Sequence, residues 1–300
     1  MKTKKTKMKK TFGERLFQSF STILLVLVMV LILYPIIYVV SASVSSAQAL
    51  SAGRVFLFPI DMTMAGYKFV MQYSAVWVGY RNTILYTLVG VTNTMMLTLC
   101  CAYPLSKRNY QGRKLMTWIF TFTMMVGAGL IPTFLVYVKL GLYGTPFAVI
   151  LWGALGISNV LIMRTAFAGV PEELYEAAQI DGASDLRQFA TIGIPLCKAT
   201  ISVIIFYSLV GAWNDYFAAM IMLTDSDMFP LQLVLRTILT ATETLDMSSV
   251  SGSALQALNN TGMEQVKYAL IVISTVPVIA IYGVVQKSFK GGVMIGAVKG

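Results

Sequence analysis

Six stretches of this 300-residue chain are apolar and, apart from Asp215, free of formal charge: residues 23–40, 82–106, 115–138, 140–163, 199–224 and 268–286. A hydrocarbon layer about 30 Å thick takes roughly 20 apolar residues per helix, so the runs are long enough to cross it. In lipid only a helix or a closed barrel satisfies its own backbone hydrogen bonds, and the runs are too solidly apolar to show the alternation of barrel strands. The chain therefore reads as an all-α integral membrane protein of six transmembrane helices, at about 23–41, 82–106, 115–138, 145–166, 199–223 and 268–286. Residues 1–22 form a basic N-terminal and interfacial segment, and 23–300 a single transmembrane domain. Composition agrees: 57% of residues are hydrophobic and 12% charged, about half the charge of an ordinary soluble domain.

The net charge of +10 reports topology. With the N-terminus in the cytoplasm, the inner segments hold seventeen of the 23 basic residues and the outer ones six, which places both termini in the cytoplasm by the positive-inside rule. The first run follows a lysine-rich start like a secretory signal. Its eighteen residues exceed the 7–15 of a signal core, however, and suit a retained span.

The same residues argue against catalysis. The chain has no histidine, which removes the commonest general base and metal ligand. An intramembrane enzyme would need paired carboxylates, an activated serine or metal ligands within the spans, and Asp215 is the one acid there. Three cysteines, two of them the adjacent Cys100 and Cys101, give no disulfide framework.

The connection between the fourth and fifth spans, about 168–198, is the informative one. Pro171 suits the first position of a helix, Glu172 and Glu173 complement the positive end of its dipole, and Leu174, Ala177 and Ala178 share one face. Gly182 can end the helix in the left-handed conformation. Ser184 suits the N-cap of a second short helix that Pro195 stops. The loop carries Glu172, Glu173, Glu176, Asp181 and Asp185 against Arg187 and Lys198. A net −3 is not drawn to the anionic inner leaflet and fits a protein partner with basic residues; the alternative is a solvated loop.

The run from Glu176 through Ala177, Ala178, Gln179, Ile180, Asp181 and Gly182 to Ala183, followed by Ile192-Gly193-Ile194-Pro195, resembles the EAA loop of bacterial ABC importer permeases, with Ile194 in place of the usual Leu. Other stretches resemble the carbohydrate branch of that family, to which the inner-membrane maltose permease belongs. These are Ala102 to Arg108 with Gly112-Arg113, Ile131-Pro132 with Gly141-Leu142 and Thr145, Trp213-Asn214, and the ending Gly296-Ala297-Val298-Lys299-Gly300. The segments around Arg54 and 290–296 resemble permeases for fragments of complex polysaccharides.

The resemblance implies a type I ABC importer permease fold in the bacterial cytoplasmic membrane. It implies a transport subunit, not an enzyme, that moves a sugar or oligosaccharide, with a non-sugar solute as the alternative. By the same resemblance, Glu173, Glu176, Ala177, Ala178, Asp181, Gly182, Ala183 and Pro195 dock on an ATPase subunit, and the tail residues Lys299 and Gly300 enter the ATPase interface. The implied partners are a second, homologous permease in a heterodimer, two ATPase subunits, an extracytoplasmic solute-binding protein and membrane lipid, with no nucleic acid. The sequence contains no phosphate-binding loop, so no cofactor belongs to this chain and ATP and Mg act on the ATPase.

An intramembrane carboxylate usually faces a cavity or a partner. Asp215 lies about 12 Å below the outer end of the fifth span at ~1.5 Å per residue. With Trp213, Asn214 and Tyr216 it makes a polar and aromatic cluster suited to a sugar path or gate; bonding to a neighbouring helix is the alternative. Pro35, Pro132 and Pro277 are expected to bend their helices. Gly127, Gly129, Gly153 and Gly156 are expected to allow close helix contact. The outer loop of about 225–266 is long enough to reach the binding protein.

Overall fold

The computed structural model describes residues 12–244 and 262–296, and among them every regular element is helical. The chain divides into two compact units, Met1–Val70 with Ser251–Val272, and Met71–Val250 with Ile273–Gly300.

The smaller unit contains α1 (Phe12–Ser43), α2 (Ala47–Ser51), most of α3 (Ala65–Gln72) and the first turns of α15 (Met263–Gly296). α1 exposes nearly all its apolar side chains along 32 residues. That surface would be prohibitive in water and is at home in hydrocarbon. At its end the character changes: Ala42, Ala49, Leu50 and Val55 form a small core, and a run of serines turns inward. The Ser41 hydroxyl donates to the Leu57 carbonyl at 2.6 Å, and Ser45 Oγ donates to Ser41 O and accepts from Ile60 N. The Gln265 amide donates to Thr63 O at 3.0 Å. Gly66 lies so close to this strand of contacts that a Cβ there would stand 3.0 Å from the Gln265 carbonyl oxygen.

The larger unit is organised on α4 (Ser74–Ser106), 33 residues long. It packs on α7 (Pro146–Leu151), α8 (Ile157–Ala168), α12 (Lys198–Asn214) and α14 (Leu231–Thr244). Its core joins Met95, Ala102, Val160, Met163, Phe167 and Ile204. At the other end α4 receives the turn that follows α13 (Phe217–Met222). The Asn82 amide donates to the carbonyls of Asp227 and Phe229, Tyr86 Oη donates to Met228 O, and Thr83 Oγ1 accepts from Leu231 N. Gly79 makes this approach possible, since a Cβ there would sit 3.1 Å from Leu231 Cα.

Among the described residues three helices are long and apolar enough to cross a membrane, and up to five spans result if each of two bent pairs counts as one. The expected third span is such a pair: α5 (Arg113–Met125) and α6 (Leu130–Lys139) meet at 115°. Gly127 and Gly129 lie in the break, Gly129 at φ +81°, and no neighbouring helix approaches Gly127. Gly153, at φ +67° with open space around it, and Gly156 bound a second break between α7 and α8. Among the described residues no other helix packs on Gly127 or Gly153, and the four glycines lie at turns of the chain where the sequence reading expects close helix contact. Pro132 consequently falls in the first turn of α6, where it displaces no helical hydrogen bond, while Pro35 and Pro277 do lie within helices.

Candidate functional site

The loop between α8 and α12 folds as two short helices. α9 (Glu172–Ile180) has Pro171 at its N-cap, one position before the expected place, and Glu172 and Glu173 in its first turn. Gly182 ends it at φ +79°. Gly182 N donates to Gln179 O at 3.0 Å and Ala183 N to Ala178 O at 2.9 Å, the paired bonds of a Schellman motif. Ser184 then caps α10 (Asp185–Gln188), accepting from Arg187 N at 3.4 Å. The buried Gln188 donates to Ala183 O at 3.0 Å and ties the second helix back to the turn.

Pro195 does not stop this helix. A π-helical turn, Phe189–Gly193, runs into α11 (Ile194–Leu196), and the chain breaks at Cys197. A proline in the first turn of a helical segment lacks only an N–H that has no partner there, so the chain passes through it. The whole segment Asp185–Leu196 meets α12 at 78°.

One face of the loop is anchored and the other is free. Tyr175 is the buried residue of α9. Its ring joins Tyr103, Phe167 and Phe189, with the Tyr103 and Phe189 centroids 4.9 Å apart and Tyr103 and Phe167 at 5.4 Å edge to face. The Lys107 ammonium, just beyond α4, lies 3.2 Å from the Tyr175 centroid and 5.1 Å from that of Tyr103. Burial lowers the Lys107 pKa from its ordinary value, and the carboxylates of Asp185 and Glu172 pull it back up. Burial also pushes the Tyr175 phenol up to about 12 and the Cys197 thiol up to about 11. Gly193 closes the cluster: a Cβ there would stand 3.3 Å from the Phe167 ring.

Against this seat, Glu173, Glu176, Ala177, Asp181, Gly182 and Pro195 are exposed, and Ala178 and Ala183 are half-buried. Ile180 is 87% exposed and Leu186 75%. The free face is thus acidic, studded with bare aliphatic side chains and carried on capped helices.

The second feature is a cavity of about 260 Å³ among α4, α7, α8 and α12, with Thr94, Asn159, Ser208 and Asp215 among its polar lining. Asp215 also caps α13, its carboxylate accepting from Phe217 N at 2.9 Å and Ala218 N at 3.3 Å. The other three residues of the expected cluster point elsewhere. Trp213 is buried and donates to Ser274 O at 3.1 Å. Asn214 donates to Val210 O at 2.9 Å. Tyr216 lies under the Arg236 guanidinium, 4.6 Å from its ring. The cluster breaks up because the helix itself ends at Asn214 and restarts at Phe217. Lys299 and Gly300 lie outside the described residues, as does 245–261 of the long outer connection.

Residues 6–294 match the family described as "Binding-protein-dependent transport system inner membrane component". The chain belongs to this family. The permease is 37% identical over 267 residues to Protein LplC of Bacillus subtilis (strain 168), covering 89% of both chains. It is 32% identical to the polygalacturonan/rhamnogalacturonan transport system permease protein YtcP of the same organism, over 96% of this chain and 99% of the relative. Among solved structures it superposes with TM-score 0.86 on a chain of a bacterial ABC transporter involved in the import of the acidic polysaccharide alginate, at 36% identity over 94% of this chain and 99% of that one. The resemblance read from the sequence is thus borne out. The permease is a transport component of the cytoplasmic membrane, with the type I ABC permease fold and not an enzyme.

Sequence reasoning missed Tyr175 and Lys107, which hold the loop in place, and Ile180, which arms its free face. Tyr175 and Ile180 are the large hydrophobic residues of this helix that fall off the face shared by Leu174, Ala177 and Ala178, and that offset was the available signal. Nothing in the spacing of Lys107, 68 positions before Tyr175, could pair the two.

Proposed function

We propose that the permease passes a sugar or oligosaccharide, released from a complex polysaccharide, from an extracytoplasmic binding protein into the cytoplasm. The observation that carries this reading is the full-length similarity to a polygalacturonan/rhamnogalacturonan permease and to an alginate importer chain. In this account six spans place both termini in the cytoplasm, the bent pair α5–α6 and the interrupted α7–α8 each serving as one. A second permease completes the membrane path, two ATPase subunits hydrolyse ATP with Mg, and the outer connection after α13 faces the binding protein.

The docking loop is the coupling element. Glu176 and Asp181 meet basic residues of the ATPase, Ala177, Ala178 and Ala183 allow its backbone to come close, and Ile180 and Leu186 fill apolar hollows on it. When the ATPase subunits close they displace α9. Because Tyr175 is wedged between Tyr103 and the Lys107 ammonium, the displacement passes to α4, and through the 78° joint at Cys197 to α12. α4 and α12 both line the cavity that holds Asp215. A helical strut transmits such a push, whereas a slack loop would absorb it.

Uptake of labelled oligosaccharides by the assembled transporter in proteoliposomes tests the reading. Galacturonate or uronate oligomers are expected to accumulate in an ATP- and binding-protein-dependent manner. Accumulation of an amino acid or polyamine, with no sugar taken up, would overturn it.

A further inference from the structure

Where α4 gives way to α5, the chain forms an open hollow of about 800 Å³ whose lining includes Arg108, Arg113, Lys114 and Arg164, with no carboxylate. Arg164 reaches it from α8, and its Nε donates to the Leu105 carbonyl at 3.2 Å, which fixes the guanidinium at the wall. Arg113 is half-buried, and Arg108 and Lys114 are exposed. Arg108 and Arg113 also border a neighbouring hollow that contains Glu172 and Glu173, so Lys114 and Arg164 are the cations that belong to this one alone.

The opposite wall is apolar. Trp118, 63% exposed and stacked on Phe122 with ring centroids 5.4 Å apart, and Leu115, 59% exposed, lead away from the cations along α5, a helix with no buried residue. Thr117 and Thr121 donate their hydroxyls to backbone carbonyls one turn back, to Arg113 and Thr117, so the wall offers their methyl groups and little polarity.

We propose that this hollow binds the headgroup of an anionic phospholipid, with its phosphate among Arg108, Arg113, Lys114 and Arg164 and its acyl chains running along Trp118 and Leu115. The inference rests on the orientation given under the proposed function, which sets this hollow at the inner leaflet. Basic hollows between spans on that side are suited to anionic headgroups. A soluble anion would leave the apolar wall unused. A protein partner complementary to the acidic docking loop next door would itself be basic, and four adjacent cations would repel it.

The test is native mass spectrometry of the complete transporter, relipidated with palmitoyl-oleoyl phosphatidylglycerol or with the matching phosphatidylcholine. The assembled wild type is expected to retain phosphatidylglycerol and not phosphatidylcholine. Arg108→Gln with Lys114→Gln, both at exposed positions, is expected to weaken retention roughly 25-fold, at about fivefold per cation. Arg164→Gln serves as a second variant. Equal retention of the two lipids overturns the proposal, and so does unchanged retention in the variants. Displacement by water-soluble glycerol phosphate would make the site one for soluble phosphates, and retention by the isolated chain but not by the complex would give the surface to a partner subunit; either also overturns it. ATP hydrolysis and uptake measured on the same preparation report separately on the proposed function.

Discussion

Truncating Tyr175 to alanine is expected to disconnect the docking loop from the spans without unfolding the protein. The ring is 7% exposed, so its burial contributes about 1.5–3 kcal/mol. The Lys107 ammonium 3.2 Å from its centroid adds about 0.5–2 kcal/mol, and the edge contact with Tyr103 about 0.5–1.5 kcal/mol. These add to about 2.5–6.5 kcal/mol, a span that brackets the roughly 3–5 kcal/mol usual for aromatic truncation in a core. No other residue of α9 is buried, so the helix has nothing to fall back on, and its seating equilibrium weakens by a factor of about 10² to 10⁵ at ~1.4 kcal/mol per tenfold. Tyr175→Phe is the control. The Tyr175 hydroxyl is buried without a hydrogen-bond partner among the described residues, so its removal leaves the ring contacts intact and stability unchanged or slightly raised. Uptake and ATP hydrolysis by the assembled transporter are measured together, with the amount of inserted permease as the reference. Tyr175→Ala is expected to insert normally and to uncouple hydrolysis from uptake, and Tyr175→Phe to behave as wild type. Full coupling in the alanine variant, or equal loss in both, would refute the reasoning.

Glu176→Lys reverses a charge at the proposed ATPase contact and is expected to abolish uptake, since opposing a desolvated ion pair costs on the order of 2–5 kcal/mol; normal uptake by an inserted Glu176→Lys protein would remove the proposed docking role. Gly182→Val is expected to strain the turn by about 1–2 kcal/mol, because a Cβ meets no neighbour there and only the φ of +79° opposes it. Gly182→Asn should then recover much of the lost uptake, and failure of asparagine to do better than valine would contradict the backbone explanation. Cys197, 4% exposed with its thiol pushed up to about 11, has a thiolate fraction of only ~1 in 1,000 at pH 8. It is expected to resist N-ethylmaleimide in native membranes and to react once the protein is denatured, as read by peptide mass spectrometry.

Local chemistry was legible in the docking loop. Ser184 supplies the cap oxygen and Gly182 the left-handed turn because those residue types do these things wherever the chain permits. What escaped was set by other parts of the chain or by continuity. Hydropathy reports that residues 115–138 prefer lipid, and it is blind to whether Gly127 and Gly129 bend them by 115°. The same blindness joins α12 to α13 and draws Trp213, Asn214 and Tyr216 into one cluster with Asp215, when the structure pairs Trp213 with Ser274, Asn214 with Val210 of its own helix and Tyr216 with Arg236. By residue type Pro195 reads as a terminator, but the π-helical turn before it leads into a new first turn that accepts proline. The seat of the loop joins Tyr103 and Lys107 to Tyr175 across a long stretch of sequence, and tertiary packing of that kind leaves no periodic trace.

A single cysteine introduced at Ala177 or Ala178 and carrying a short bifunctional crosslinker tests the central claim in native vesicles. The account predicts a covalent product with the ATPase subunit, at a yield that changes when ATP is added. Vesicles that transport normally yet never give that product would contradict it.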